Sequence, residues 1–255
     1  MLILAQKYYV VWQGRETGIF NDWGTCKKQI DHYPGAKYKS FKTLNEAQSA
    51  FTGGHQEASA NKSVKTIKKT GLKTYTAHDI AGLSQNTKIY TDGGCEPNPG
   101  EAGSGMAVYR NEELSELWYG LYNPKGTNNT AELNALHQAL ILANEELNNK
   151  RSVAIFCDSK YAIQCVTQWA VGWEKKGWKK AGGEIKNLEL IQQMFALYQT
   201  LKNNIEVLHV NGHVGVEGNE LADRMSIMAI ETAETDFQLY RDDIDIPAIL
   251  ATRAG

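Results

Sequence analysis

Lys88-Ile-Tyr-Thr-Asp92-Gly-Gly-Cys-Glu-Pro-Asn98-Pro-Gly100 is the stretch on which the reading of this chain turns. Three β-favouring residues lead into an aspartate, and the Gly/Pro/Asn-rich run behind it predicts a turn at once. Two readings of Asp92 stand open. It is either a solvated hairpin acid, or a metal-binding carboxylate on rigid sheet, with glycines letting a ligand backbone approach. Partner carboxylates downstream decide between them.

Downstream, Ile89–Thr91, Gly105–Arg110 and Leu114–Leu121 read as three antiparallel strands. A helix capped by Asn129 runs to about Leu147, with Leu136, Ala139, Leu140, Ala143 and Leu147 on one face. Val153–Cys157 is a continuous apolar run, as expected of a strand buried on both sides. Ser159 opens a helix to Trp169, a second spans Asn187–Lys202, Ile205–Val210 is a strand, and Glu217–Ile230 is a final helix. This order predicts an α/β domain over 88–230: a mixed five-stranded sheet with helices on both faces. Three further acids fall at marked places. Asp158 ends the apolar strand, where open α/β sheets put their sites, although it also suits a helix cap. Glu132 closes the capping-box pattern Asn129-Thr-Ala-Glu132. Asp223 alone is an ordinary helix acid.

Upstream, residues 7–52 predict a small α+β domain. Tyr8–Trp12 and Ile19–Phe20 form a hairpin, and Asn21 or Asp22 caps a helix to Tyr33 that Pro34-Gly35 stops. Lys37–Phe41 is a third strand, and the capping box Thr43-Leu-Asn-Glu46 opens a second helix ended by Gly53-Gly54. Aromatics (Trp12, Trp23, Tyr33, Tyr38, Phe41) interleave with Lys27, Lys28, Lys37, Lys39 and Lys42. That mixture suits a nucleic-acid backbone, and it equally suits a tiny core with a soluble surface. Residues 53–87 show no sustained period and read as a basic linker.

The chain has 255 residues, 42% hydrophobic, enough for two cores. Its net charge of −2 marks no global polyanion-binding field, but the distribution is uneven. Residues 1–52 carry seven basic against four acidic side chains, and 53–88 six against two. Residues 89–230 carry twelve against seventeen, and the acidic tail 231–255 two against six. That tail is left with two fates, packed on the body or unstructured. Cys26, Cys95, Cys157 and Cys165 show no Cys-x-x-Cys spacing, so neither a structural zinc site nor a disulfide framework is indicated and reduced cysteines are expected. With no signal or membrane-spanning segment in the sequence, the expectation is a cytoplasmic monomer with no membrane partner.

Taken in order, several motifs resemble the type 1 ribonuclease H family: Thr91–Gly100, Thr127-Asn-Asn-Thr-Ala-Glu-Leu133, Asp158-Ser159, Gly172-Trp-Glu-Lys-Lys-Gly-Trp178 and Gly212-His213 through Asn219-Glu-Leu-Ala-Asp223. Residues 7–52, through Tyr8–Phe20, Trp23, Cys26, Pro34 and Lys37–Phe41, resemble the caulimovirus-type hybrid-binding domain at the N-terminus of eukaryotic-type members. The resemblance implies an endonuclease that hydrolyses the RNA strand of RNA/DNA hybrids, leaving 3′-hydroxyl and 5′-phosphate ends. It implies two Mg2+ ions, replaceable by Mn2+, on Asp92, Glu132, Asp158 and Asp223, with His213 assisting proton transfer or product departure. Cys95, Asn98, Asn128 and Asn129 would contact the hybrid near the cut. Thr127 and Asn187, with Lys125, would hold a DNA-strand phosphate. Trp169 and Trp173 would flank the DNA strand, and Trp173–Lys180, including Trp178, would form a basic helical handle. In the N-terminal domain Tyr9, Trp23, Tyr38 and Lys39 would contact the DNA strand, and double-stranded RNA is a second candidate ligand. Ser40 stands where the family often has a lysine. Two other classes compete: a non-enzymatic duplex-binding protein, and an integrase-like nuclease of the same superfold acting on DNA.

Overall fold

The computed structural model describes residues 7–31, 33, 35–52, 72–212 and 215–255. Contacts divide the chain into a unit over Met1–Thr70 and one over Gly71–Gly255.

In the first unit, β1 (Tyr8–Gln13) lies between β2 (Gly18–Phe20) and β3 (Lys37–Phe41), antiparallel to both. Helices α1 (Trp23–Ile30) and α2 (Leu44–Thr52) pack on β1. Asp22 caps α1 by accepting from the Thr25 amide at 2.8 Å. Asp31, in extended backbone, ends that helix, two residues short of the expected Tyr33. The capping box before α2 forms as read: Thr43 and Glu46 each accept the other's backbone N–H. The core is small, built on Val11, Cys26 and Ile30.

The second unit begins with two elements inside the expected linker, β4 (Thr74–Tyr75) and α3 (Ala77–Ala81). The rest of that linker, 53–71, lies outside the described residues. Lysines and threonines hide β4, because a two-residue edge strand leaves no periodic signature. Then follow β5 (Thr87–Glu96), β6 (Gly100–Arg110), β7 (Glu113–Gly126), α4 (Asn128–Asn148) and β8 (Val153–Cys157). Next are α5 (Lys160–Gln164), a π-helical turn over Cys165–Trp169, α6 (Ala170–Glu174), α7 (Leu188–Leu201), β9 (Ile205–Val210) and α8 (Glu217–Thr232). The tail adds β10 (Gln238–Leu239) and α9 (Ile246–Leu250).

Among the described residues the strand order is β10-β7-β6-β5-β8-β9-β4, and the five inner strands are those expected. β5 pairs antiparallel with β6 and parallel with β8, so the sheet is mixed. Strand alternation divides its side chains between two cores. Ile89 and Ile155 face α4, α5 and α7, while Tyr90 and Phe156 face α3, α8 and α9. The tail therefore packs on the body through β10, paired with β7, and through Ile249, buried beside α8.

One correction concerns the opening stretch. The turn does not follow Asp92 at once; β5 continues through Gly93 and Gly94 to Glu96, paired to Glu101, and the turn is at 97–99. The glycines admit helices, and both also line the cleft that holds the acids. A Cβ on Gly93 would stand 2.3 Å from the Glu132 amide nitrogen, and one on Gly94 would stand 2.9 Å from Ser226 Oγ.

Glu146, near the end of α4 and 2% exposed, ties this helix to the sheet. It accepts from Thr87 at 2.8 Å, from Arg110 at 2.9 Å, and from Arg151. Burial raises its pKa, but these donors prevail and hold it at about 2. Glu146→Ala is expected to cost about 1–3 kcal/mol in denaturant unfolding, since it leaves the buried Thr87 hydroxyl without its acceptor while Arg110 keeps Glu116. A folded pKa below the unfolded one gives stability above about pH 4.5 that is lost as pH falls toward 2. The variant should lack that part of the acid dependence.

Candidate active site

Asp92 and Asp158 come side by side because Thr91 pairs with Cys157 in the parallel β5–β8 ladder, and each acid is the next residue. Glu132 lies in the first turns of α4, which Gly93 lets cross close over β5. The cap of α4 is Thr127, whose side chain accepts from the Thr130 amide, and not Asn129. Glu132 is therefore not a capping acid, and its carboxylate is left for the site. Asp223 arrives from α8 on the opposite face of the sheet. Asp92, Glu132 and Asp223 are 5%, 5% and 3% exposed, and Asp158 is half-buried. All four line one cleft of about 470 Å³.

Their supports are unequal. Asp92 Oδ1 accepts the Gly93 amide at 2.7 Å. Asn219 Nδ2 donates to Asp158 Oδ2 at 3.4 Å, and His209 Nε2 meets the Asp158 carbonyl at 3.1 Å. The other ring nitrogen of His209 is 2.8 Å from Thr74 Oγ1, so β4 buttresses this acid. Arg224 and the Gly255 amide both engage Asp223, the latter at 3.0 Å. Arg253 pairs with Glu96 on the same cleft. Glu132 Oε2 is buried without a hydrogen-bond partner among the described residues. Burial first, then Asp158 and Asp223, push the Asp92 carboxyl well above the usual range; burial, then Asp92 and Asp158, do the same to Glu132. An all-oxygen donor set with mutual repulsion and an orphaned carboxylate oxygen fits hard divalent cations.

Other expected contacts fall into groups. On the cleft rim the Asn128 amide donates to Asn98 Oδ1 at 3.3 Å, with half-buried Cys95 nearby. Asn129 and Lys125 are exposed. Thr130 Oγ1, 2.8 Å from Thr127 Oγ1, donates to Asn187 Oδ1 at 3.1 Å, and Thr130 and Asn187 line a second hollow of about 340 Å³. Trp169 is exposed and stands 5.9 Å from half-buried Trp173. The helical handle is corrected: α6 ends at Glu174, turns follow, and Lys180 bridges Gly183. Trp178 packs edge-on against Phe195, supporting α7. His213 lies outside the described residues. Asn219, His209, Thr74 and Thr130 were not singled out from sequence. Asn219, four residues before Asp223 on the same helix, carried the one usable signal.

In the first unit, Tyr9, Trp23 and Tyr38 come from three elements into one ring cluster, with centroids 5.4 and 5.9 Å apart. Trp23 and Tyr38 are 44% and 47% exposed, so these rings form a surface and not the core. Lys39 lies 5.8 Å from the Phe41 ring on β3.

A sequence model of the family described as RNase H matches residues 84–231, and one described as the Ribonuclease H1 N-terminal domain matches 7–51. The chain belongs to the RNase H family. Ribonuclease H1 of Rattus norvegicus is 31% identical, the match covering 86% of this chain and 87% of that one. Ribonuclease H of Acidovorax sp. is 42% identical over 56% of this chain and 93% of its own. A crystal structure of LC9-RNase H1, a type 1 RNase H with the type 2 active-site motif, shares the fold at TM-score 0.51 and 23% identity, over 67% of this chain and 82% of that one. In this RNase H chain β4, α3 and the tail from β10 onward lie outside the matched catalytic region.

Raised carboxyl pKa values mean that the folded, metal-free protein binds protons more tightly than the unfolded chain. Stability from these groups is then present below about pH 4 and lost as pH rises. Asp92→Asn is expected to raise the metal-free melting temperature near pH 7 by about 3 °C or more, with the gain vanishing near pH 4. Thermal scans across that range, with chelator present, check it.

Proposed function

We propose that this RNase H hydrolyses the RNA strand of RNA/DNA hybrids endonucleolytically, using two divalent ions, Mg2+ with Mn2+ as a substitute, to give 3′-hydroxyl and 5′-phosphate ends. The observation that carries the reading is the convergence of Asp92, Glu132, Asp158 and Asp223, from four elements, on one cleft. Bound ions would supply Lewis acidity, activating the attacking water and neutralising charge on the leaving oxygen. The chain's own part is positioning. Asp92 and Asp223 would hold cations between the two sheet faces, with Asn219 and His209 fixing Asp158. Glu132 would accept from a ribose 2′-hydroxyl, the group that distinguishes RNA from DNA. His213 is assigned proton transfer to the leaving group. Cys95, Asn98 and Asn128 form the rim on which the RNA strand would lie, and the Thr127–Thr130–Asn187 hydroxyl and amide chain would take a phosphate of the other strand.

The Tyr9–Trp23–Tyr38 cluster, with Trp23 and Tyr38 exposed, is assigned to the DNA strand, with rings packing on sugars or bases and Lys39 on phosphate. Tethered binding would raise the effective concentration of hybrid at the catalytic unit.

The tail bears on metal loading. The Gly255 N–H donates to Asp223 at 3.0 Å and so would compete with a cation for that carboxylate.

Asp158→Asn is expected to lower cleavage of labelled hybrid at least about a hundredfold while hybrid binding persists. Undiminished cleavage would refute the site. Double-stranded RNA and DNA in the same assay separate the nuclease from a duplex-binding protein or a DNA nuclease. Trp23→Ala should weaken hybrid binding by about 1–3 kcal/mol in gel-shift titration and leave the rate at saturation unchanged. A chain lacking 252–255 should need at least about tenfold less Mg2+ for half-maximal cleavage, the worth of one charge-assisted hydrogen bond. An unchanged metal midpoint would show that these residues leave Asp223 freely.

A further inference from the structure

Cys157 ends β8 one residue before Asp158, and its side chain is fully buried. Its sulfur, a Glu132 carboxylate oxygen and an Asp158 carboxylate oxygen all lie within 4.8 Å of one another. The thiol has the Ser159 carbonyl at 3.8 Å and the Thr91 side chain as hydrogen-bond contacts. Independently, Glu132 is 5% exposed and its Oε2 has no partner among the described residues. A buried carboxylate oxygen left unsatisfied costs free energy unless something binds it, and here it stands beside a metal-ligating sulfur.

The three donors have a mixed chemistry that Mg2+ cannot use in full. Mg2+ takes oxygen ligands in strict geometry and ignores sulfur. Thiolate ligands select softer ions, and a set of one sulfur and two carboxylates suits Zn2+ or its heavier congener Cd2+. We propose that Glu132, Cys157 and Asp158 form a capture site for a soft divalent cation, Zn2+ or Cd2+, whose binding switches off the nuclease.

On binding, a metal–sulfur bond of about 2.3 Å forms and the thiol proton passes to solvent. Rotation of Glu132 and Asp158 closes the donors on the ion. Both carboxylates are thereby drawn toward Cys157, away from Asp92 and Asp223. The backbone need not move, because β8 and α4 already hold the three residues together. The binding half of the proposal stands on these donors alone, and the inhibitory half rests on the hybrid-cleaving reading.

The test is a Cd2+ titration of the full chain without nucleic acid, followed by the ultraviolet sulfur-to-cadmium charge-transfer band. Cys157→Ser, Cys157→Ala, Cys95→Ser and Cys165→Ser are run beside it, with circular dichroism confirming that each is folded. The expected result is a band saturating at one ion per chain, kept in the Cys95 and Cys165 variants and lost in both Cys157 variants. No band in the unaltered chain, or one of equal strength in either folded Cys157 variant, overturns the site. In Mg2+-supported hybrid cleavage, the Zn2+ concentration for half-inhibition should rise at least about tenfold in Cys157→Ser. Equal inhibition of the two proteins overturns the switch. If the unaltered Mg2+-loaded chain cuts no hybrid, the nuclease reading fails, and the absorbance arm still decides whether the site exists.

Discussion

Mutual repulsion among buried carboxylates is the constraint around which the catalytic unit is built. Asp92 and Glu132 are almost wholly removed from water, and after burial the neighbouring acids raise their pKa values further: Asp158 and Asp223 that of Asp92, Asp92 and Asp158 that of Glu132. In a low-dielectric site such like-charge contacts are costly, and they persist only when the surroundings fix them. The fixing is visible at each acid. The parallel β5–β8 ladder sets Asp92 beside Asp158, and the missing side chain at Gly93 lets α4 bring Glu132 over the strand. Asn219 and His209 hold Asp158 from two further elements. The charge that the fold leaves uncompensated is what a divalent cation would supply.

The support extends beyond the residues that the RNase H family model matches. β4 reaches the site through Thr74 and His209, and the tail reaches it through Gly255 and Arg253. Short additions at both edges of a sheet thus touch the same acid cluster. They also cover the edge strands β9 and β7, whose unpaired backbone groups would otherwise offer a pairing surface.

The N-terminal unit solves a different problem. Its core, built on Val11, Cys26 and Ile30, is too small to bury every ring it carries, and three of its aromatics cluster at the surface. Exposing Trp23 and Tyr38 sacrifices hydrophobic burial, a loss that stacking on a ligand would recover.

Sequence by itself determined the elements whose signals are local. The five inner strands, the long amphipathic α4, the Thr43–Glu46 capping box and the order of the four acids all follow from periodicity, capping chemistry and motif spacing. Tertiary structure decided what depends on contacts between distant residues. Gly93 reads locally as a turn but is a packing site, because the Glu132 backbone fills the space of its side chain. Glu132 reads as a capping acid but is released by Thr127. Trp178 reads as a nucleic-acid contact, and its edge-on packing against Phe195 is visible only in the fold. Thr74, His209 and the tail carry no local pattern at all. Their roles exist only where the folded chain brings them against Asp158 and Asp223, since a hydrogen-bond partner some fifty or more residues away leaves no trace in the sequence around either one.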